Sequence, residues 1–191
     1  MKLICLGDSQ TFGLGLHRAQ KWTTLLADNL GWEVINAGVN GDTSSGMLAR
    51  LRYEVLDRKP DIVMVMGGGN DFIVGADIGS VKANINAIVQ QCLAANVRVL
   101  LASELFVYPE LISDDYKRLA DFDKINEKMK EFAAWFPDLC AVFPGITYID
   151  LQKLYWDETG GSIDFSLDGL HTNKAGAEII AKILTNVLKV I

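Results

Sequence analysis

The chain has 191 residues, of which 50% are hydrophobic, and it carries a formal net charge of −6. This length fits one α/β domain with a sizeable core, so we expect residues 1–191 to form a single domain. The acidic balance argues against nucleic acid and against an anionic membrane surface as the main partner.

Cysteine usage and the pattern of apolar runs narrow the class of protein further. Cys5, Cys92 and Cys140 form an odd, sparse set, which predicts neither a disulfide framework nor a metal site. The apolar run at 1–6 is too short for a signal peptide, and no run is long enough to cross a bilayer. We therefore expect a cytoplasmic protein without an integral membrane segment, although a chain that had lost an export signal would show the same pattern.

Strand and helix patterns alternate along the whole chain. Short β-rich runs occur at Leu3–Leu6, Glu33–Asn36, Ile62–Met66, Arg98–Leu101 and Thr147–Asp150. Helical patterns occupy Trp22–Leu30, Ser44–Asp57, Val81–Ala95, Asp115–Trp135 and Lys174–Val190, and the longest irregular stretches are Ser103–Asp114 and Leu151–Asp168. The last three strand runs are almost entirely apolar, as in strands covered on both faces. The alternation predicts an α/β fold with a five-stranded parallel sheet and helices on both sides.

The first segment that could carry chemistry is Gly7-Asp8-Ser9, which directly follows the first strand run. A serine at the carboxyl end of a strand, next to a small residue, can present its hydroxyl to an open crevice. The same three residue types are also common in turns and at helix caps. Taken alone, the segment leaves both interpretations open.

Two glycine-rich segments follow the next two strand runs. Asn36–Thr43 contains two glycines, which would let backbone N–H groups approach a ligand closely. The alternative interpretation is an ordinary loop before a helix. Gly67–Asp71 could cradle a phosphate, but its spacing fits neither the P-loop nor the dinucleotide fingerprint. Alternatively, Asn70 could donate its side-chain amide to an oxyanion, or it could simply shape a flexible turn.

The last segment of interest is Asp168-Gly169-Leu170-His171, which precedes the final helix. A carboxylate three residues before an imidazole can reach that ring and orient it as a base. A surface turn before a helix would give the same pattern. The chain has only one other histidine, His17, and no carboxylate closely precedes it, so His171 is the better candidate base.

All four segments follow strands, which makes their placement more informative than any one of them. In a parallel sheet the carboxyl ends of the strands meet at one edge, where open α/β sheets bind their ligands. A candidate nucleophile, two candidate oxyanion donors and a base with its orienting carboxylate would therefore share one crevice. These are the groups that acyl transfer needs.

The four segments, in this order, resemble the sequence blocks of SGNH (GDSL-type) serine hydrolases, and the match extends from Gly7 to His171. The resemblance implies a flavodoxin-like three-layer α/β/α sandwich with strand order 2-1-3-4-5. Two departures are minor. Gln10 stands where the family name has leucine, and Thr172 follows the histidine where proline is frequent.

The resemblance also implies roles for individual residues. Ser9 would be the nucleophile, and Asp168 and His171 would complete a catalytic triad with it. The backbone N–H groups of Ser9 and Gly41 and the side-chain amide of Asn70 would form the oxyanion hole. The implied enzyme is a lipase-like hydrolase, an esterase that needs no metal or cofactor and acts on small-molecule, carbohydrate or lipid esters.

The substrate is less well defined by the sequence. A small acyl group is the first expectation, with acyl-thioesterase, lysophospholipase or carbohydrate acetylesterase activity as alternatives within the fold. A non-catalytic binding module and a phosphate or nucleotide binder that uses Gly67–Gly69 are alternatives from other classes. Candidate pocket walls, each of which could instead be core, are Phe72, Ile73, Val74, Leu105, Phe106, Val107, Tyr108, Tyr155, Trp156 and Phe165.

Overall fold

The computed structural model describes residues 1–190 and contains one five-stranded sheet. The strands are β1 (Lys2–Gly7), β2 (Glu33–Gly38), β3 (Ile62–Met66), β4 (Arg98–Ala102) and β5 (Ile146–Ile149). They lie in the order β2-β1-β3-β4-β5, and every neighbouring pair is parallel. The predicted parallel sheet and its strand order are confirmed.

Helices cover both faces of the sheet. They are α1 (Ser9–Phe12), α2 (Trp22–Leu30), α3 (Ser44–Glu54), α4 (Gly69–Ile73), α5 (Ile78–Ala94), α6 (Asp114–Lys117), α7 (Phe122–Ala133), α8 (Phe136–Val142), α9 (Leu151–Thr159) and α10 (Lys174–Leu188). Side chains of α3, α5, α7 and α8 pack on one face, and side chains of α2, α9 and α10 pack on the other. The fold is therefore the predicted three-layer sandwich.

The alternation of side chains along β1 explains why its sequence is apolar throughout. Ile4 and Leu6 belong to the core under α3 and α5, whereas Leu3 and Cys5 belong to the core under α2 and α10. Successive side chains of a strand point to opposite faces, so a strand covered on both sides has no solvent-facing positions.

Two of the predicted elements were wrong in part. The stretch Leu151–Asp168, expected to be irregular, begins with α9, whose first turn is capped by Asp150, since its side chain accepts from the N–H of Lys153. The single helix expected at Asp115–Trp135 is divided into α6 and α7, because Asp121 caps a new helix start. In both cases a capping side chain marks where the helix begins. Hydrophobic periodicity does not indicate the position of such caps.

The register of β1 places its neighbours' loops beside Ser9. Gly7, the last residue of β1, is aligned with Gly38 of β2 and with Met66 of β3. The three loops that follow these strands therefore leave the sheet at the same level. The crevice lies where the strand order reverses about β1, which is the usual ligand position in such sheets.

Candidate active site

Ser9 is presented by the sharp passage from β1 into α1. Asp8 occupies the N-cap position, and its side chain accepts a hydrogen bond from the N–H of Gln10 at 2.9 Å. Ser9 is the first residue of α1, so its own N–H belongs to a first helical turn and has no intrahelical acceptor. The Ser9 side chain is largely buried, with its residue 9% exposed, and it lines the cavity described below.

His171 and Asp168 lie next to Ser9 in space. The Nδ1 atom of His171 is 2.8 Å from Oδ2 of Asp168, and its Nε2 atom is 2.9 Å from Oγ of Ser9. Because a carboxylate only accepts hydrogen bonds, Nδ1 carries the ring proton in the neutral imidazole. Nε2 is then left with a lone pair that faces the Ser9 hydroxyl.

The chain between Asp168 and His171 forms a tight turn that fixes the carboxylate. Burial alone would raise the pKa of Asp168, but hydrogen bonds from the His171 ring and from the backbone N–H groups of Leu170 and His171 lower it. The two backbone bonds measure 2.9 and 2.8 Å and both reach Oδ1. Asp168 therefore stays ionised, and its other oxygen is free to hold the imidazole.

Gly41 and Asn70 reach the same cavity from the other side. Gly41 has φ 73°, a left-handed conformation that favours glycine. The Nδ2 atom of Asn70 lies 3.0 Å from Oδ2 of Asp8 and 3.0 Å from the carbonyl oxygen of Asp42. Both hydrogens of this amide thus have acceptors, and an oxyanion must compete with one of them.

A buried arginine ties the Gly41 loop to the strands beneath it. Arg50 of α3 forms an ion pair with Asp42 at 2.7 Å and donates to the carbonyl oxygens of Ala37 and Gly7 at 2.7 and 2.8 Å. Bidentate and multiple bonds from one planar guanidinium fix several chain segments at once. The geometry of this loop therefore rests on Arg50.

The cavity beside Ser9 has a volume of about 270 Å³. Ser9, Gly41, Asn70 and His171 are all among its lining residues. Its apolar wall is formed by Leu14, Ile73, Leu105, Val107, Ile125, Met129 and Leu170. The site is thus a mostly apolar pocket with a few polar groups that converge at one end, as ligand sites usually are.

A family model described as the GDSL-like Lipase/Acylhydrolase family matches residues 5–179 of the chain. The chain belongs to this family. This match confirms the resemblance noted from the four segments. At the level of the family, it also confirms the predicted class of ester-hydrolysing enzymes.

Individual relatives match shorter stretches. Over 104 residues the chain is 36% identical to the esterase TesA of Pseudomonas aeruginosa. The matched stretch covers 52% of each protein. Over 132 residues it is 35% identical to the thioesterase 1/protease 1/lysophospholipase L1 of Escherichia coli, with 63% of this chain and 62% of that protein covered. These matches span between about half and under two thirds of the relatives' length.

A solved structure of a G-D-S-L family protein from Desulfitobacterium hafniense superposes over nearly the whole chain. The TM-score is 0.82, with 97% of this chain and 98% of that chain covered. At 21% sequence identity this likeness shows the shared fold.

In this GDSL-family chain, only part of the predicted pocket wall lines the Ser9 cavity. Ile73, Leu105 and Val107 do so. Phe72 is buried in the core instead, and Val74 points to solvent with 72% of its surface exposed. Helical and loop positions next to Asn70 are adjacent in sequence but face different directions, which residue type alone does not reveal.

Several residues of the site were missed by the sequence analysis. Ile125 and Met129 lie four apart on α7 and therefore on one helix face, which is indistinguishable in sequence from a face that packs on the core. The side chain of Gln10 exchanges two 3.0 Å bonds with the backbone of Leu105. Glu104 lines the cavity although it is a buried acid, and no sequence pattern pointed to it.

The remaining predictions concern other parts of the chain. His17 is exposed at the start of a short 3-10 helix and takes no part in the cavity. Within residues 1–190 no helix is long and apolar enough to cross a membrane, and no group of three or more histidine, cysteine or acidic side chains could hold a metal ion. The cytoplasmic location stays a prediction.

Proposed function

We propose that this chain is a serine esterase that cleaves carboxylic esters of small acyl groups through an acyl-enzyme. The supporting observation is the unbroken chain of hydrogen bonds from Asp168 through His171 to Ser9, with links of 2.8 and 2.9 Å. A nucleophile within reach of a base, and a base held by a carboxylate, is the arrangement that activates a hydroxyl.

The first half of the reaction forms a covalent bond to Ser9. Its Oγ attacks the ester carbonyl carbon while Nε2 of His171 takes the hydroxyl proton. Asp168 holds the ring and stabilises the imidazolium that results. When the tetrahedral intermediate collapses, the bond to the leaving oxygen breaks, and His171 returns its proton to the departing alkoxide.

The second half releases the acid. A water molecule gives a proton to His171 and attacks the acyl-enzyme carbonyl, and the second tetrahedral intermediate then expels Oγ of Ser9, which takes the proton back. Both intermediates place a negative charge on the former carbonyl oxygen. The N–H groups of Ser9 and Gly41 and the amide of Asn70 would bind that charge.

For Asn70 this role requires an exchange of partners. Its amide already donates to Asp8 and to the carbonyl oxygen of Asp42. A full negative charge is a better acceptor than a neutral carbonyl, so the oxyanion would displace Asp42 as the intermediate forms. The bond to Asp8 would remain and keep the amide directed into the cavity.

The size of the cavity supports a small acyl group. Its volume of about 270 Å³ lies just below the usual range for small-molecule sites, which is about 300–1,000 Å³. The wall is mainly apolar, so each methylene that fits inside should contribute about 0.8 kcal/mol of binding. The acyl length at which kcat/KM peaks therefore reports the depth of the pocket.

The alternatives within the fold differ in the leaving group. A lysophospholipase or acyl-thioesterase activity has support in the name of the Escherichia coli relative, and an acetylated carbohydrate needs only a small acyl pocket. The deciding assay compares p-nitrophenyl esters of two to twelve carbons with matched acyl-thioesters, lysophospholipids and acetylated sugars. A maximum of kcat/KM on short-chain esters would support the proposal. A maximum on long acyl chains or on thioesters would contradict it and favour the corresponding alternative.

The structure disfavours phosphate binding by the glycine-rich segment. The N–H of Gly69 donates to the carboxyl group of Glu104 at 2.6 Å, within the buried part of the site. A phosphate would have to displace the Glu104 carboxyl group from the N–H of Gly69. It would then lie among the charged groups that surround that carboxyl group. A thermal-shift screen with nucleotides and inorganic phosphate should therefore show no stabilisation of the protein. The other alternative, a non-catalytic binding module, would show no turnover in the ester assay.

A further inference from the structure

Two buried carboxyl groups lie directly beside the nucleophile. Asp8 is 2% exposed and Glu104 is 8% exposed, and both line the cavity that contains Ser9. Their side chains lie close enough to interact with each other. Two buried carboxylates this close repel each other, and a hydrogen bond between them forms only if one of the two groups carries a proton.

The other partners of each group identify which one is protonated. Asp8 accepts from the N–H of Gln10 at 2.9 Å and from Nδ2 of Asn70 at 3.0 Å, so the bonds to its two oxygens suit an ionised carboxylate. Glu104 accepts from the N–H of Gly69 at Oε2, at 2.6 Å. Its second oxygen is therefore the one that can carry a hydrogen and donate to Asp8.

We infer that Glu104 is a neutral carboxylic acid that positions the Asn70 amide by donating its proton to Asp8. The inference rests on the proposed function of Asn70 as an oxyanion donor. Glu104 itself does not contact the reacting atoms. It acts through Asp8, and a second route runs through its bond with the backbone of Gly69, the residue before Asn70.

The charges that surround the pair favour this proton. Burial raises the pKa of both carboxyl groups. The proximity of Asp8 and Asp71 adds to this effect and raises the pKa of Glu104 well above its ordinary value, whereas interaction with Glu104 and the bond from the N–H of Gln10 lower the pKa of Asp8. Asp42 and His171 face the pair on the Asp8 side. Within the described part of the chain neither carboxyl group forms an ion pair with a lysine or arginine. The arginine Arg50 pairs with Asp42 instead.

The proton on Glu104 decides how the amide of Asn70 is oriented. An ionised Asp8 accepts only, so it binds the NH₂ group of Asn70 and excludes the carbonyl oxygen from that position. If the proton lay on Asp8 instead, the amide could turn and present its oxygen. If the proton were lost, a second negative charge would stand close to the developing oxyanion, where the local dielectric is low.

The test compares Glu104→Gln and Glu104→Ala with Glu110→Gln as the matched control, because Glu110 is an exposed glutamate of a nearby 3-10 helix. A glutamine side chain can donate to Asp8 and accept from Gly69, so it should keep kcat within about threefold of the wild type at neutral pH. The alanine variant frees Asp8 and should lower kcat by ~10-fold with little change in KM, which is less than the ~10²–10³-fold cost of losing a whole donor.

Infrared difference spectra test the proton without relying on activity. The spectrum of the wild type minus Glu104→Gln at neutral pH should contain the carbonyl band of a protonated carboxylic acid, shifted in deuterated water. Absence of that band would overturn the inference. A band that persists in Glu104→Gln would place the proton on Asp8 and overturn it equally, and Glu110→Gln should leave the spectrum unchanged.

These outcomes separate the inference from the proposed function. If the wild type cleaves no ester, or if a fluorophosphonate fails to label Ser9, the proposed function fails, while the infrared band still reports on Glu104. If the wild type is active and Glu104→Ala keeps the full kcat, the positioning role fails alone. If the alanine variant does not fold, Glu104→Gln and its spectrum still decide the question.

Discussion

The Nε2 atom of His171 lies 2.9 Å from Oγ of Ser9, although 162 residues separate the two in the chain. Ser9 is placed by the end of β1, and His171 is placed by the turn before α10. Their distance is thus set by the packing of α10 and its preceding loop against the sheet. Since misplacement of reacting groups by about 1 Å can cost about 10²-fold in rate, variants of the loop should affect activity before stability.

Replacement of Ser9 by alanine should abolish ester hydrolysis while the fold stays intact. The change removes the atom that forms the acyl-enzyme, and loss of a nucleophile in such triads costs ~10³-fold or more. Initial rates and circular dichroism measure the two effects. A fluorophosphonate probe should label Ser9 alone, and Ser45→Ala, an exposed serine of α3, is the matched control. Retained turnover in Ser9→Ala would refute the assignment.

The two histidines should respond very differently to replacement by alanine. His171→Ala removes the proton acceptor and should be about as damaging as loss of Ser9. His17 is exposed and does not line the cavity, so His17→Ala should stay within about twofold of the wild type. The measurement is kcat/KM for both variants on one ester. The reverse order would mean that the wrong histidine has been assigned.

Replacement of Asn70 tests the oxyanion hole apart from the triad. Loss of one donor of this kind lowers kcat by about 10²–10³-fold and should change KM little, because the neutral carbonyl binds the donor more weakly. Asn84→Ala is the control, since Asn84 also donates from a partly buried amide, to Ser44, but lies outside the cavity. If Asn70→Ala lowered only thermal stability, with kcat within a few-fold, Asn70 would have a purely structural role.

The proton on Glu104 predicts how stability depends on pH. Its pKa is raised in the folded protein, so the folded state binds a proton that the unfolded chain releases above pH ~4.3. The free energy of unfolding of the wild type, relative to Glu104→Gln, should therefore fall by about 1.4 kcal/mol per pH unit as the pH rises towards the folded pKa. Urea titrations from pH 5 to 8 measure this slope. Parallel curves for the two proteins would show that Glu104 ionises normally.

Removal of metal ions should leave the activity unchanged. In the proposed reaction His171 activates the Ser9 hydroxyl directly, so no metal-bound water is required. Dialysis against a chelator, followed by the ester assay, tests this. Activity that is lost and then restored by a divalent cation would place the protein in a different class of hydrolase.

The sequence by itself determined the sheet and the residues that meet at its edge. Strands β3 and β4 are apolar runs that could only be buried on both faces, and this implied a parallel sheet covered by helices. From that topology, the convergence of Ser9, Asn70 and His171 followed without coordinates, because parallel strands all end at the same edge. Periodicity is a local property that a linear pattern records, whereas the strand order was implied by the family resemblance.

Only the tertiary structure decided the surroundings of those residues. Glu104 and Asp8 are far apart in sequence, and their shared proton arises because folding removes both from water and places them together. Met129 of α7 lines the cavity because of how that helix packs, and its sequence resembles any core-facing helix. Burial and the distance between remote side chains depend on three-dimensional packing, so no pattern within one segment contains them.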